Sequence, residues 1–157
     1  MPTAKLKEFL DKNNIKYICI QHSNAYTAQE TAQSAHIPGR GMAKTVMVKI
    51  DDRMAMAVLP ASEKIDLDLL KSAAGAGEVS IASEKEFKDF FPNCETGAMP
   101  PFGNLYEMDV YVEEGLGENE EIAFNAGSHT ELMKLSYKDF EKLVKPHVVR
   151  LSAGYVS

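Results

Sequence analysis

The segment Thr45-Val-Met-Val-Lys-Ile50, continued by Asp51-Asp52-Arg53 and Met54-Ala-Met-Ala-Val-Leu59, decides the fold. Its two arms are mostly apolar, and three charged residues separate them. This pattern predicts two antiparallel strands joined by a tight turn. Apolar side chains occupy both alternating sets of positions, so we expect both faces of the hairpin to be buried, at the centre of a sheet.

Helical and extended patterns alternate on either side of this hairpin. The expected elements are a helix over 3–13, a strand at 17–21, a helix that begins at the Thr27/Glu30 capping box and ends at Pro38–Gly41, a short helix that begins at the Ser83/Glu86 capping box, strands at 105–112, 121–125 and 130–135, a helix from Ser136 to about Val144, and a strand at 147–151. The order lacks regular βαβ units and a Gly-rich phosphate loop. It therefore favours an α+β fold with a curved, mixed and mostly antiparallel sheet, barrel-like and flanked by short helices.

The bulk composition is that of a globular protein. The chain has 157 residues, of which 45% are hydrophobic and 25% charged, and no repeat or linker-like stretch divides it. We expect one domain over residues 1–157. Its two cysteines, Cys19 and Cys94, form no CxxC motif, so we expect them to be reduced. No apolar run is long enough for a signal peptide or a membrane span, so we expect a cytoplasmic protein that does not act at a membrane.

The net charge of −6 argues against a broadly basic surface, which is the usual footprint of a nucleic-acid-binding protein. Contact with RNA would have to be local, through a few basic residues near a site, or supported by a partner protein.

Lys44 is the first candidate site residue. Strand periodicity places it on the same face as Val46 and Val48, which we expect to point inward. A lysine beside an apolar face needs a polar partner or lines a cleft, because an unpaired buried ammonium is costly. The alternative is that Lys44 extends along the apolar surface to reach water.

The second candidate is the loop Gly97-Ala98-Met99-Pro100-Pro101-Phe102-Gly103. Proline fixes φ and removes an amide donor, whereas glycine permits close approaches, so such a loop can present backbone groups to a ligand. The alternative is a tight connection with no further role.

The third candidate is the turn Asn125-Ala126-Gly127-Ser128-His129-Thr130, which gathers an amide, a hydroxyl and an imidazole around a glycine. These residue types bind polar ligands, but they also bond their own backbone in ordinary turns. The remaining histidines, His22, His36 and His147, are isolated, and no HExxH motif occurs. We therefore expect neither a metal nor a cofactor.

Nucleophilic side chains are poorly supported. Ser128 and His129 are adjacent rather than arranged as a triad, no GxSxG motif occurs, and Cys94 has no basic neighbour in sequence. A small-molecule esterase or amidase that uses Cys94 or Ser128 is the least favoured function.

Taken together, Lys44 in Ala43–Val46, the Gly97-x-x-x-Pro101-Phe102-Gly103 loop and the Asn125–His129 turn resemble the YbaK family, over about Leu6–Leu151. That family includes free-standing proteins and the editing insertion of bacterial prolyl-tRNA synthetases. The resemblance implies a deacylase that acts in trans on mischarged tRNA, with a small amino acid such as alanine, cysteine or serine on tRNA-Pro.

The resemblance also implies roles for individual residues. Lys44, Gly97 and Ala98 would be catalytic, through the lysine cation and the loop amides. The substrate-binding residues would be Thr45, Met99, Pro100, Pro101, Phe102, Gly127, Ser128 and His129. The implied partner is the aminoacyl end of tRNA, and an aminoacyl-tRNA synthetase is a second candidate partner. The alternative function is a non-catalytic binding or regulatory module related to the editing domain.

Overall fold

A computed structural model describes residues 4–21, 41–91, 94–95, 98–128 and 130–155. The described chain contains four α-helices and ten strands. In chain order they are α1 (Ala4–Lys12), β1 (Tyr17–Gln21), β2 (Ala43–Ile50), β3 (Arg53–Pro60), β4 (Glu63–Ile65), α2 (Leu67–Ala74), β5 (Val79–Ile81), α3 (Glu84–Phe87), β6 (Asp109–Glu113), β7 (Glu121–Asn125), β8 (Glu131–Ser136), α4 (Tyr137–Val144), β9 (His147–Val149) and β10 (Ser152–Tyr155).

The expected hairpin is formed by β2 and β3. The two strands pair from Ala43 opposite Pro60 to Ile50 opposite Arg53. Between them, Asp51 and Asp52 have φ values of 48° and 68°. Aspartate tolerates this left-handed region better than most residues, and two such residues match the twist of a tight hairpin.

A five-stranded sheet, in the order β5-β2-β3-β6-β9, is built around this hairpin. β6 runs parallel to both β3 and β9, whereas β2 is antiparallel to β3 and β5. This sheet is mixed, and the pairings of the other two described sheets are all antiparallel, so the prediction of a mixed, mostly antiparallel sheet is confirmed.

Both faces of the hairpin are buried, as its sequence predicts. One face contributes to a main core, which includes Met47, Met56, Val58, Phe102, Phe124 and Phe140, and which α1, α4 and a second sheet cover. The other face contributes Val48, Ala57 and Leu59 to a second core, which Leu70 of α2 and Leu151 complete. The inward orientation expected for the face of Lys44 is confirmed by the full burial of Val48.

The second sheet has three antiparallel strands in the order β1-β8-β7. A parallel bridge between Met42 and Ala123 links the start of β2 to β7. The described strands do not close further, so the barrel-like description holds only loosely. The bridge brings the residues that begin β2 next to the strand that leads into the Asn125–Thr130 turn.

Two strand boundaries were predicted wrongly. The strand expected at 105–112 begins only at Asp109, because Gly103–Leu105 form a 3-10 turn and Glu107 adopts a φ of 57°. The strand expected at 147–151 ends at Val149, and a separate strand, β10, begins at Ser152 and pairs with β4. The helix expected from Thr27 lies outside the described residues.

β4, α2 and β5 were not predicted. For α2 the signals were present: Asp66 accepts the amides of Asp68 and Leu69 at the helix start, and Gly75 ends the helix with a φ of 64°. β4 and β5 are three-residue strands whose pairing depends on distant partners. No helix in the described ranges is both long and apolar enough to cross a membrane.

Candidate functional site

Lys44 lies near the start of β2, opposite Leu59 of β3. Its side chain is half-buried and shares a face with Val46 and Val48, on the side of the second core. Burial lowers the pKa of the Lys44 ammonium, and the carboxylate of Glu63 partly opposes this by raising it. Lys44 is therefore a partly desolvated cation.

The turn after β3 brings Glu63 to this region. The Ala61 amide donates to the Met42 carbonyl over 2.7 Å, which fixes the β3–β4 turn on the start of β2. Glu63 and Lys44 each lie two residues beyond this bond. The Glu63 carboxylate also accepts a hydrogen bond from the Ser152 hydroxyl.

The 97–103 loop and the 125–130 turn are held together by backbone hydrogen bonds. The Glu95 amide donates to the Gly127 carbonyl (2.8 Å), and the Gly127 amide donates to the Ala98 carbonyl (2.7 Å). Gly127 has a φ of 97°, which favours glycine at this position. We call these contacts among Glu95, Ala98 and Gly127 the loop clamp. The structure therefore brings together two of the three motifs singled out in the sequence.

The Ala98 amide is engaged within its own loop. It donates to the Glu95 carbonyl over 3.0 Å, closing a tight turn. In this structure that amide is not available to an ester oxygen. The catalytic role expected for Ala98 stays a prediction. Its amide bonds Glu95 and its carbonyl accepts from Gly127, so both backbone groups belong to the loop clamp.

The rest of the loop is firmly packed. Ala98, Met99, Pro100, Pro101, Phe102 and Gly103 are all buried. Phe102 is fully buried, and its ring contacts Phe9, Phe124 and Phe140. Its side chain anchors the loop in the main core. The binding role expected for Phe102 stays a prediction.

Gly103 ends the loop where no side chain fits. A Cβ built on it would lie 2.6 Å from Val110 Cγ2 and 2.7 Å from the Met108 carbonyl oxygen. Real Cβ atoms do not approach backbone so closely. This glycine is explained by packing against the chain that leads into β6.

Two possible nucleophiles are occupied or protonated. The Ser128 hydroxyl lies 2.9 Å from Thr130 Oγ1 and accepts the Thr130 amide, so it closes the turn. Burial raises the pKa of the Cys94 thiol, which outweighs the opposing effect of a hydrogen bond with Tyr106. Neither residue has the environment of an activated nucleophile.

The remaining expected residues are placed unevenly. Thr45 is half-buried and lies on the same face of β2 as Ala43 and Met47, which belong to the main core. Lys44 lies on the opposite face. Gly97 and His129 lie outside the described residues. The binding roles of Thr45, Met99, Pro100, Pro101, Gly127, Ser128 and His129 stay predictions.

Sequence reasoning missed Glu63, Ser152 and Glu95. No local signal could have found the first two, because their relation to Lys44 arises from a turn and from pairing between strands far apart in sequence. Glu95 lies two residues before Gly97, and the preceding helix is expected to end before Pro92. These two features could have assigned Glu95 to the same loop as Gly97.

The model of the aminoacyl-tRNA editing domain family matches residues 22–143 of the chain. A prolyl-tRNA editing protein of Acetoanaerobium sticklandii is 28% identical over 142 residues, which cover 87% of this chain and 86% of that protein. A multifunctional Ser/Thr-tRNA deacylase of Escherichia coli K12 is 32% identical over 116 residues, covering 71% and 68% of the two chains.

A solved structure adds support for the fold. A candidate trans-editing enzyme for prolyl-tRNA synthetase superposes with a TM-score of 0.84 at 18% identity, covering 98% of both chains. The family expected from Lys44, the Gly97 loop and the Asn125–His129 turn is thus confirmed, together with its reaction class, hydrolysis of an aminoacyl-tRNA ester. The chain belongs to the aminoacyl-tRNA editing domain family.

Proposed function

We propose that this editing domain acts in trans to remove a small amino acid, such as alanine, cysteine or serine, from mischarged tRNA-Pro. The names of two relatives support this substrate class: one is a prolyl-tRNA editing protein and the other a Ser/Thr-tRNA deacylase. The proposal extends those substrates to this chain.

The observation that carries the proposal is the loop clamp. An aminoacyl ester is already activated, so its hydrolysis requires placement of water and stabilisation of the developing oxyanion more than a protein nucleophile. The clamp fixes a loop of restricted backbone against the Gly127 turn, with Phe102 as its anchor. In our proposal the catalytic role of Gly97 is to stabilise, through its backbone amide, the charge that develops on the ester oxygen.

Lys44 supplies the charge in this scheme. A half-buried ammonium attracts a phosphate or ribose oxygen of the tRNA end more strongly than an exposed one, because water screens it less. His129 would limit the size of the side chain that enters. Steric discrimination of one methylene contributes only about 1–3 kcal/mol, which is why a separate editing step is useful.

The setting of the reaction is part of the proposal. Residues 1–157 would act as a single domain in the cytoplasm, with the tRNA end as substrate and an aminoacyl-tRNA synthetase as a further partner. The net charge of −6 supports a local contact with RNA and makes help from a partner useful.

The test is a deacylation assay. tRNA-Pro charged with alanine, cysteine or serine is mixed with the protein, with Lys44→Ala and with Lys64→Ala, and loss of the ester is followed against prolyl-tRNA-Pro. Lys64 is an exposed lysine of β4 and serves as the matched control. We expect hydrolysis by the wild type and by Lys64→Ala but not by Lys44→Ala. No hydrolysis of any mischarged tRNA-Pro by the wild type contradicts the proposal.

A further inference from the structure

The surroundings of Lys44 include the C-terminal strand. β4 pairs with β10, with Glu63 opposite Tyr155 and Ile65 opposite Ser152. The Ser152 hydroxyl donates to Glu63 Oε1, and the Ala61–Met42 hydrogen bond holds the start of β4 against the start of β2. A continuous set of contacts therefore runs from Ser152 through Glu63 to the strand that carries Lys44.

We propose that Glu63 and Ser152 form a positioning pair for Lys44: Ser152 orients the Glu63 carboxylate, and this carboxylate fixes the position of the Lys44 side chain. The inference rests on the proposed role of Lys44 as the cation of the editing site. Neither residue is expected to touch the substrate.

Ser152 is itself firmly held. Glu113 is buried, with 6% of its surface exposed, and its Oε1 accepts the amides of Leu151 and Ser152, each over 3.0 Å. Its Oε2 accepts the Gly115 amide over 2.8 Å. This carboxylate fixes the start of β10, so the hydroxyl of Ser152 has a defined position relative to β4.

The charges around Lys44 single out Glu63. Burial lowers the pKa of Lys44, and Glu63 is the charged group that raises it. The other charged groups of this region, Asp66, Glu113, Glu114 and Arg150, line a cavity of about 520 Å³ together with Glu63 and Ser152. Asp66 caps α2 and Glu113 binds three amides, so these two carboxylates already serve the backbone.

The pair extends the editing site beyond the part of the chain that defines the family. The family model matches residues 22–143, which include Lys44 and Glu63 but not Ser152. Removing the Ser152 hydroxyl should therefore affect a lysine that lies in a different part of the sequence.

The experiment measures Lys44 directly, without tRNA. Lysines of the full chain are reductively methylated with ¹³C-formaldehyde, the Lys44 signal is assigned with Lys44→Arg, and its titration is followed by NMR. The variants are Glu63→Gln, which keeps shape and hydrogen-bonding capacity, Ser152→Ala, and Glu114→Gln as an exposed carboxylate control in the same cavity. The pH dependence of kcat/KM for deacylation is measured in parallel.

We expect the titration midpoint of the Lys44 ammonium to move to lower pH in Glu63→Gln, to move less in Ser152→Ala, and to stay unchanged in Glu114→Gln. Since Lys44 then loses its proton at lower pH, the alkaline limb of kcat/KM should move to lower pH. We expect kcat/KM on that limb to drop by about 2- to 5-fold, the size that a partly exposed ion pair supplies.

An unchanged Lys44 midpoint in Glu63→Gln overturns the proposal, as does an equal shift in Glu114→Gln. If Glu63→Gln does not fold, Ser152→Ala decides, and an unchanged midpoint there removes the pair. A shifted midpoint in a protein that hydrolyses no mischarged tRNA supports the pair while contradicting the proposed function, so the two failures are distinguishable.

Discussion

The two ends of the β2–β3 hairpin differ in what their polar groups do. At the proposed site end, Lys44 lies opposite Leu59, close to the Met42–Ala123 bridge, and the charge of Glu63 acts on its ammonium. At the turn end, Asp51 accepts the amides of Gly77 and Glu78 over 3.0 and 2.9 Å. The carboxylate at the turn end stabilises the backbone, whereas the ammonium at the site end is left half-buried beside one carboxylate.

The proposed site and the cavity lined by residues of the turn end lie at opposite ends of the hairpin. A cavity of about 780 Å³ lies at the turn end, lined by residues that include Arg53, Tyr106, Asp109 and Tyr111. The motifs on which the resemblance to the editing family rests are Lys44, the Gly97 loop and the Asn125–His129 turn, and none of their described residues lines this cavity. In the proposed function, the partly desolvated cation and the fixed backbone loop, rather than cavity volume, mark the functional end.

The largest expected effect is that of Lys44→Ala on deacylation. Removing one preorganised electrostatic group from a catalytic site costs about 100-fold or more in rate, so we expect a loss of that size with little change in stability. The matched control at the turn end is Lys49→Ala, because Lys49 lies on the same strand and pairs with Glu86. Single-turnover deacylation measures both, and equal losses in the two variants would erase the distinction between the ends.

The second prediction concerns the loop clamp at the site end. Gly127→Ala places a side chain at a φ of 97° and should cost about 1–3 kcal/mol of unfolding free energy. Because Gly127 bonds both Glu95 and Ala98, deacylation should fall as well.

The control for the clamp is Gly75→Ala at the end of α2. Gly75 also has a left-handed φ, of 64°, and a Cβ there would meet nothing within 4 Å. Urea unfolding should show a loss of stability in both variants, but deacylation should fall only in Gly127→Ala. A clamp variant that loses stability and keeps full activity would show that the loop need not be fixed.

Local patterns predicted what depends on local chemistry. The hairpin followed from apolar residues on both alternating faces, the Ser83/Glu86 capping box is present, and β7 spans Glu121–Asn125 as expected. Site residues that came from the family resemblance could be named, but their geometry could not. Ala98 illustrates the limit, because the partner of its amide, Glu95, depends on how the loop closes.

Features that depend on distant contacts were not predictable. β4 contains Glu63-Lys64-Ile65, which has no strong strand pattern, and it becomes a strand because Ser152 and Tyr155 pair with it. The position of Glu63 beside Lys44 follows from this pairing and from the Ala61–Met42 bond. The sequence therefore predicts the central hairpin and the motifs, while the electrostatics of Lys44 required the structure.

A third, smaller effect is expected at the turn end. Asp51→Ala removes the acceptor of two backbone amides and should lower the unfolding free energy by about 1–2 kcal/mol. Asp52→Ala is the control, since Asp52 also has a positive φ and shares the strain of the substitution. Urea unfolding should rank Asp51→Ala below Asp52→Ala, and both should retain deacylation. Loss of activity in Asp51→Ala would mean that the turn end contributes to the site.

The smallest effect is expected for the exposed ion pair near the turn end. Lys49 Nζ lies 2.7 Å from Glu86 Oε2, and this hydrogen bond, followed by those to Ser83, lowers the pKa of Glu86 from 4.5 to about 2. In Lys49→Met, the pKa of Glu86 should rise but stay below 4.5, because the Ser83 amide still donates to Glu86 over 2.9 Å. NMR titration of the Glu86 carboxyl carbon measures this, with the exposed Lys85→Met as control.

The sign of the accompanying stability change follows from the same shift. A carboxyl group whose pKa is lower in the folded state adds stability above its ordinary value of 4.5, and this stability is lost as the pH falls towards about 2. Wild type and Lys49→Met should therefore differ slightly at neutral pH and converge in acid, in urea unfolding followed across that range. A difference that grows as the pH falls would contradict the assignment of the shift to Lys49. Deacylation by Lys49→Met should equal that of the wild type at each pH, because Lys49 and Glu86 lie away from Lys44 and the loop clamp. Exposed ion pairs of this kind also contribute little to stability.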